Sequence, residues 1–148
     1  MSSVDTIDRT VEATNHWLGD LASELGTDDR RHAYQVLRAV FHALRDRMGT
    51  NESAQLAAQL PLLLRGTYYE NWRPGATPQR YHDVDTFLRR IGDEAHLAGE
   101  TEASFAAAAA WRVLGLHVSE GELDDVLAVL PAPVRDLLVA PVGPPASR

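Results

Sequence analysis

A chain of 148 residues with 45% hydrophobic and 24% charged residues lies inside the range of soluble globular domains, away from disordered and fibrous compositions. Its formal net charge of −7 opposes a general duplex-binding role, because phosphate contacts need a basic face. With no cysteine and no lysine (all 14 basic residues are arginine), thiolate nucleophiles, zinc-thiolate and iron-sulfur sites, disulfides, Schiff bases and a phosphate-loop lysine are excluded together. At this length roughly 68 to 70% of the extended-chain surface can be buried, so no covalent or metal staple is required. The first ten residues carry acids and no apolar run, and no apolar stretch approaches a membrane span. The expectation is a cytoplasmic protein with neither membrane nor nucleic acid as partner.

Ile7, Val11, Thr14, Leu18, Leu21 and Leu25 recur at spacings of three and four, placing them on one stripe of a first helix, with Trp17 beside it and Gly26 as a left-handed cap. Thr27, Asp28 and Asp29 supply an N-cap and first-turn acids for a second helix reaching Met48. Its expected buried face is Ala33, Val36, Leu37, Val40, Phe41, Leu44 and Met48. Arg31, Arg38, His42, Arg45 and Asp46 fall on the opposite face. Gly49-Thr50-Asn51 interrupts the pattern, and a third helix is expected from Glu52 to Leu60. Pro61 suits the first turn of a fourth helix that continues through Tyr68 toward Trp72. Arg73 to Arg80, with two prolines and a glycine, reads as the interior linker.

Tyr81-His82-Asp83 leads into a fifth helix with Val84, Phe87, Leu88, Ile91 and Ala95 as its stripe, closed by Gly99. Thr101 can cap a sixth helix through His117, in which the run Ala106 to Ala110 suits a tightly packed core helix. Ser119 to Glu122 has the capping-box form that starts a seventh helix, and Pro131 opens an eighth. From Pro141 onward three prolines and a glycine predict a frayed tail over 141–148.

Shifting the chain by 70 positions superposes Thr14–Arg65 on Val84–Arg135 without a gap. Identities include Leu18/Leu88, Glu24/Glu94, Leu44/Leu114, Glu52/Glu122, Pro61/Pro131 and Arg65/Arg135, and Trp17/Phe87 and Phe41/Trp111 are like for like. The predicted fold is therefore all-α: one helical domain over 1–140 of about eight helices, built as two tandem four-helix repeats. Repeat one covers about 5–72, the linker 73–80 and repeat two about 81–139. Two separate bundles of half this size would be marginal on surface-to-volume grounds.

Three constellations carry candidate chemistry. Glu52 with Arg65, and Glu122 with Arg135, are separated in each half by thirteen positions and a helical corner; ion pairing, capping, solvent exposure and ligand contact are alternatives for them. Tyr68, Tyr69, Trp72 and Arg73 form an aromatic-arginine cluster with no counterpart in the second half, suited either to a partner or ligand surface or to a clamp over the linker. Arg38, His42 and Arg45, with Arg31 near them, fall close to one face of the second helix, which reads as an anion or acidic-partner site or as a solvated face. Acid-histidine spacings at Glu12/His16, His42/Asp46 and Asp93/His96 lack any paired metal motif, and no nucleophile elbow or glycine-rich nucleotide fingerprint occurs. No catalytic residue, metal ligand or cofactor is assigned. The functional expectation is a non-enzymatic module acting on a protein partner or by self-association; the alternative is a small-ligand or anion binder with a pocket between the repeats.

At A-Y-Q-V-L-R-A-V-F-H-A-L-R-D-R (Ala33 to Arg47) and A-A-Q-L-P-L-L-L-R-G-T-Y-Y-E-N-W (Ala57 to Trp72), the chain resembles the bacterial family catalogued as domain of unknown function 2267. The likeness spans Thr6 to about Leu138 and extends to F-L-R-R at Phe87, H-V-S-E-G-E at His117 and V-L-P at Val129. It implies an all-helical fold and a bacterial, often actinobacterial, source. It implies no reaction, cofactor or catalytic residue.

Overall fold

In the computed structural model, which describes residues 4–140, there are eight α-helices and no strand among the described residues. The helices are α1 (Asp5–Leu25), α2 (Arg30–Asp46), α3 (Thr50–Ala58), α4 (Leu62–Tyr69), α5 (Val84–Ala95), α6 (Glu100–His117), α7 (Glu120–Val129) and α8 (Ala132–Val139). The tail expected over 141–148 lies outside the described residues. No helix among the described residues is long and apolar enough to cross a membrane.

Local chemistry sets most boundaries. Gly26 ends α1 in the left-handed region (φ 73°), its N–H donating to the carbonyls of Ala22 and Ser23. Asp29 caps α2, accepting from the N–H groups of Arg31 and His32. Asp83 and Ser119 do the same for α5 and α7. Four boundaries differ from the sequence pattern. Gly49 is the N-cap of α3, which begins at Thr50; Glu52 Oε1 lies 2.6 Å from where a Cβ of Gly49 would stand, so a side chain there would require the Glu52 carboxylate to shift. Pro61 (ψ 149°) is the N-cap of α4, one position before the first turn. That helix stops at Tyr69 because Glu70 turns extended and Asn71 adopts φ 60°. His96, not Gly99, closes α5 at φ 58°, and Gly99 instead precedes α6.

The core is built around α2 and α6, which contact each other and are flanked by α1 and α5. On α6 everything from Phe105 to Leu114 except Arg112 is buried, and Ala106 to Ala110 are at most 2% exposed. Alanine suits this position because its short side chain allows close helix approach without loss of helix propensity. One apolar cluster runs from Trp17 through Phe41, Leu44, Phe87, Ile91 and Leu114 to Leu138. Truncating one such leucine to alanine costs about 2–5 kcal/mol.

The α1 stripe is buried only in part. Thr14, Trp17 and Leu21 are buried, whereas Ile7 and Val11 are 57% and 43% exposed. The reason is length: α1 has 21 residues against 12 in α5, so its first turns overhang the bundle. Thr10 ties this part of α1 to α4, its Oγ1 accepting from Leu63 N–H at 2.9 Å.

Candidate functional site: a charged cleft between α2 and α5

Successive turns of α2 present Arg38, His42, Arg45 and Asp46 on one side, where the end of α4 and the length of α5 converge. Helix α4 is short, and its last carbonyls have no intrahelical partners, so they need donors from elsewhere. His42 Nε2–H donates to Thr67 O at 2.8 Å. Arg45 Nη1 donates to Tyr68 O (2.9 Å) and Glu70 O (2.7 Å). A guanidinium and an imidazole N–H therefore supply donors to the negative end of the α4 dipole.

The same residues reach α5. His42 Nδ1 lies 2.7 Å from Glu94 Oε2, and Arg38 Nη1 donates to that oxygen at 2.9 Å. Both imidazole nitrogens thus lie against oxygens, one on α4 and one on α5. Arg38 Nε donates to Glu70 Oε1 at 2.7 Å, and this contact holds the Glu70 carboxyl below its ordinary range and the Arg38 guanidinium above its own. Asp46 accepts from Arg45 Nε (2.9 Å) and from Arg90 Nη2 (2.7 Å). Arg90 also donates to the side chain of Gln79, and Gln79 N–H donates to Asp46 O at 2.7 Å, which fastens the 73–80 linker to the end of α2. Tyr81 follows, with the Arg47 and Arg90 guanidinium groups 5.5 and 5.9 Å from its ring centre; burial pushes its phenol up to about 12.

Together these residues leave an open cleft of about 510 Å³ lined by Arg38, His42, Arg45, Asp46, Asn71, Arg90, Asp93 and Glu94, with Ala39 and Ala43 beneath. The expectation of a solvated helix face is corrected: His42, Arg45 and Asp46 are only 7%, 4% and 8% exposed, because α4 and α5 close over the α2 row. Only Arg31, at the start of the row, is exposed.

The aromatic cluster divides. Tyr68 is wholly buried: its ring packs edge-on to Phe41 at 5.7 Å, its hydroxyl donates to Ser53 Oγ at 3.1 Å, and burial pushes the phenol far up. It belongs to the core and is not a contact surface. Tyr69 and Trp72 are half-buried and lie ring against ring at 5.0 Å, while Arg73 is exposed. The Trp72 indole N–H is buried without a hydrogen-bond partner.

The corner arginine Arg65 has partners other than Glu52. Its Nε donates to Ala57 O (3.0 Å) and its Nη2 to Leu60 O (3.1 Å), so it caps the end of α3. Glu122 is buried with Oε2 unpartnered, and burial, then the charge of Asp125, raise its carboxyl above the ordinary range. Arg135 is half-buried, and neither Glu52–Arg65 nor Glu122–Arg135 forms an ion pair.

Glu70, Arg90 and Glu94 complete the cleft and carried no local signal. Glu94 was visible only as an identity with Glu24, and Glu24 turns out to hold Arg112 of α6 at 2.7 Å, seventy positions from the His42–Glu94 contact.

An all-α helix bundle with a charged cleft between its second and fifth helices is the class these features define. Residues 14–137 match the family model described as an uncharacterized conserved protein (DUF2267), and the chain belongs to that family. No curated protein matches the chain.

Proposed function

We propose that the chain is a non-enzymatic protein-interaction module, a single domain of two tandem four-helix repeats, whose overhanging first helix docks a basic amphipathic helix of a partner protein. The observation that carries this reading is the exposed end of the α1 stripe. Val4, Ile7 and Val11 continue the line that is buried from Thr14 onward, and Leu62 and Leu63 of α4 are exposed near them. Isolated exposed apolar residues are ordinary, but a stripe in register with a core-facing one is the form in which a helix meets another helix. Exposed Asp5, Asp8 and Glu12 accompany the stripe against the single base Arg9, so a partner flanked by basic residues is complementary.

The repeat organisation rests on agreement between the chain register and the packing. Helix starts recur 70 positions apart at Arg30 and Glu100, Thr50 and Glu120, and Leu62 and Ala132. Helices α1 and α5 end at Leu25 and Ala95, each before a left-handed cap. The neighbours exchange in the same way: α1 packs on α6 as α5 does on α2, α4 on α2 as α8 on α6, and α2 with α6 and α3 with α7 meet their own counterparts.

The test uses a fluorescently labelled leucine-lysine amphipathic peptide as probe, read by anisotropy, with light scattering of the protein alone. Saturable binding that weakens with salt and is lost in Ile7→Asp/Val11→Asp supports the reading; both substitutions are at exposed sites and should leave the fold intact. Absence of binding, or binding indifferent to the double substitution, overturns it. A doubled mass by light scattering that the double substitution abolishes would make a second copy the occupant instead.

A second reading, a small ligand held in the α2–α5 cleft, is favoured by one observation. Arg45 is 96% buried by its 4% exposure, lines the cleft, and has no hydrogen-bond partner for Nη2 among the described residues.

A further inference from the structure

We infer that the α2–α5 cleft takes a small zwitterion of the free amino-acid class; this rests on the second reading above and gives it a chemistry. The volume of about 510 Å³ is of the size used by small-molecule sites. Its lining is balanced, with Arg38, Arg45 and Arg90 set against Asp46, Asp93 and Glu94. A lone anion there would meet three carboxylates, and a lone cation three guanidinium groups. A molecule carrying both charges meets a partner for each.

The groups left over from the internal network point the same way. Arg38 and Arg45 each keep Nη2 without a partner among the described residues, and a carboxylate would complete either fork by a charge-assisted bond. Asp93, exposed at the rim beside Glu94, forms no ion pair in the described structure and can receive an ammonium group.

The packing of α8 on α6 proceeds without such a row. On α6, at the positions matching Arg38, Arg45 and Asp46, stand Ala108, Gly115 and Leu116, and α8 still packs on α6 as α4 does on α2. Charge that α2 keeps and α6 lacks leaves the row a role beyond the packing common to the two helices.

The experiment is a thermal-shift and calorimetric titration of the full chain near neutral pH. The probes are the twenty free L-amino acids singly, with acetate and ethylammonium as half-ligands. The expected result is a rise in Tm with one or more amino acids, absent with either half-ligand at the same concentration, and lost in Asp93→Asn and Arg38→Gln. Both variants alter cleft-rim groups outside the apolar core, and their unliganded unfolding curves verify that they fold. An equal rise with acetate overturns the zwitterion while leaving an anion-binding cleft standing. No rise with any probe, or a rise that survives both substitutions, overturns the zwitterion and the ligand reading together.

Discussion

The α2–α4–α5 corner and the α6–α8–α1 corner have the same helix arrangement and different interiors. Both keep the apolar contacts: Leu44 and Leu114, Phe41 and Trp111, Leu64 and Val134, Tyr68 and Leu138 are all buried. Both have polar contacts between a long central helix and its flanking helix, His42 with Glu94 in the first, and Arg112 with Glu24 and His117 with Asp20 in the second, each at 2.7 Å. Only the first corner adds Arg38, Arg45 and Asp46 and binds them to the end of α4, to α5 and to the linker. Apolar packing is thus what builds the corner, and the polar row is an addition whose cost in desolvation is met by pairing.

The sharpest way to break that comparison is at Arg45 and its counterpart Gly115. Arg45→Met leaves Asp46 buried beside Arg90 alone and frees two carbonyls at the end of α4, so urea unfolding should register a loss of about 3–5 kcal/mol. Gly115→Ala meets no atom within 4 Å and replaces a helix-interior glycine, so it should stabilise by about 0.5–1 kcal/mol. Two losses of similar size, or none at Arg45, would mean that the row does not hold the first corner.

A second pair of substitutions tests the shared part. Leu44→Ala and Leu114→Ala remove the same side chain from fully buried places seventy positions apart. Each should cost about 2–5 kcal/mol, and the two should agree more closely with each other than either does with a truncation at the exposed Leu116. A large disparity would show that the halves share helix register without sharing a core.

Helix existence and the buried face of α2 were legible because apolar periodicity reports burial directly: Ala33, Val36, Leu37, Val40, Phe41, Leu44 and Met48 are all buried. The same rule misread the other face. Polar residues at helical spacing signal water only when nothing covers them, and Glu94, Arg90 and the carbonyls of α4 arrive from 23 to 56 positions away. The overextended stripe of α1 failed for the converse reason, since periodicity shows which face is apolar but not where the covering helices begin. Tyr68 to Trp72 was marked by its lack of a repeat, yet Tyr68 occupies the same kind of core place as Leu138, so asymmetry of residue type did not mean asymmetry of role. Of the alternatives open for Arg65, capping holds and ion pairing with Glu52 does not: three carbonyls at and just beyond the end of α3 lie nearer in the chain and take its donors.

The smallest effects, and the ones with opposite sign, concern one carboxylate from each half. Glu70 is held below the ordinary carboxylate range, chiefly by the hydrogen bond from Arg38. Its contribution to stability is present above the unfolded-state pKa and is lost as pH falls through the lower folded value. Glu122 is raised, first by burial and then by Asp125, so the folded state binds its proton more tightly than the unfolded state does. Its ionised form opposes folding at neutral pH, and that opposition disappears as pH falls through the raised value toward the ordinary one. Glu70→Gln should therefore lower Tm at neutral pH with the deficit shrinking in acid, and the effect should be small because the Glu70 side chain is 45% exposed. Glu122→Gln should raise Tm at neutral pH, with the gain shrinking in acid. Melting curves of both variants from about pH 3 to about pH 7 check the pair. Deviations of the same sign would remove the distinction between a paired carboxylate in the first half and an unpaired buried one in the second.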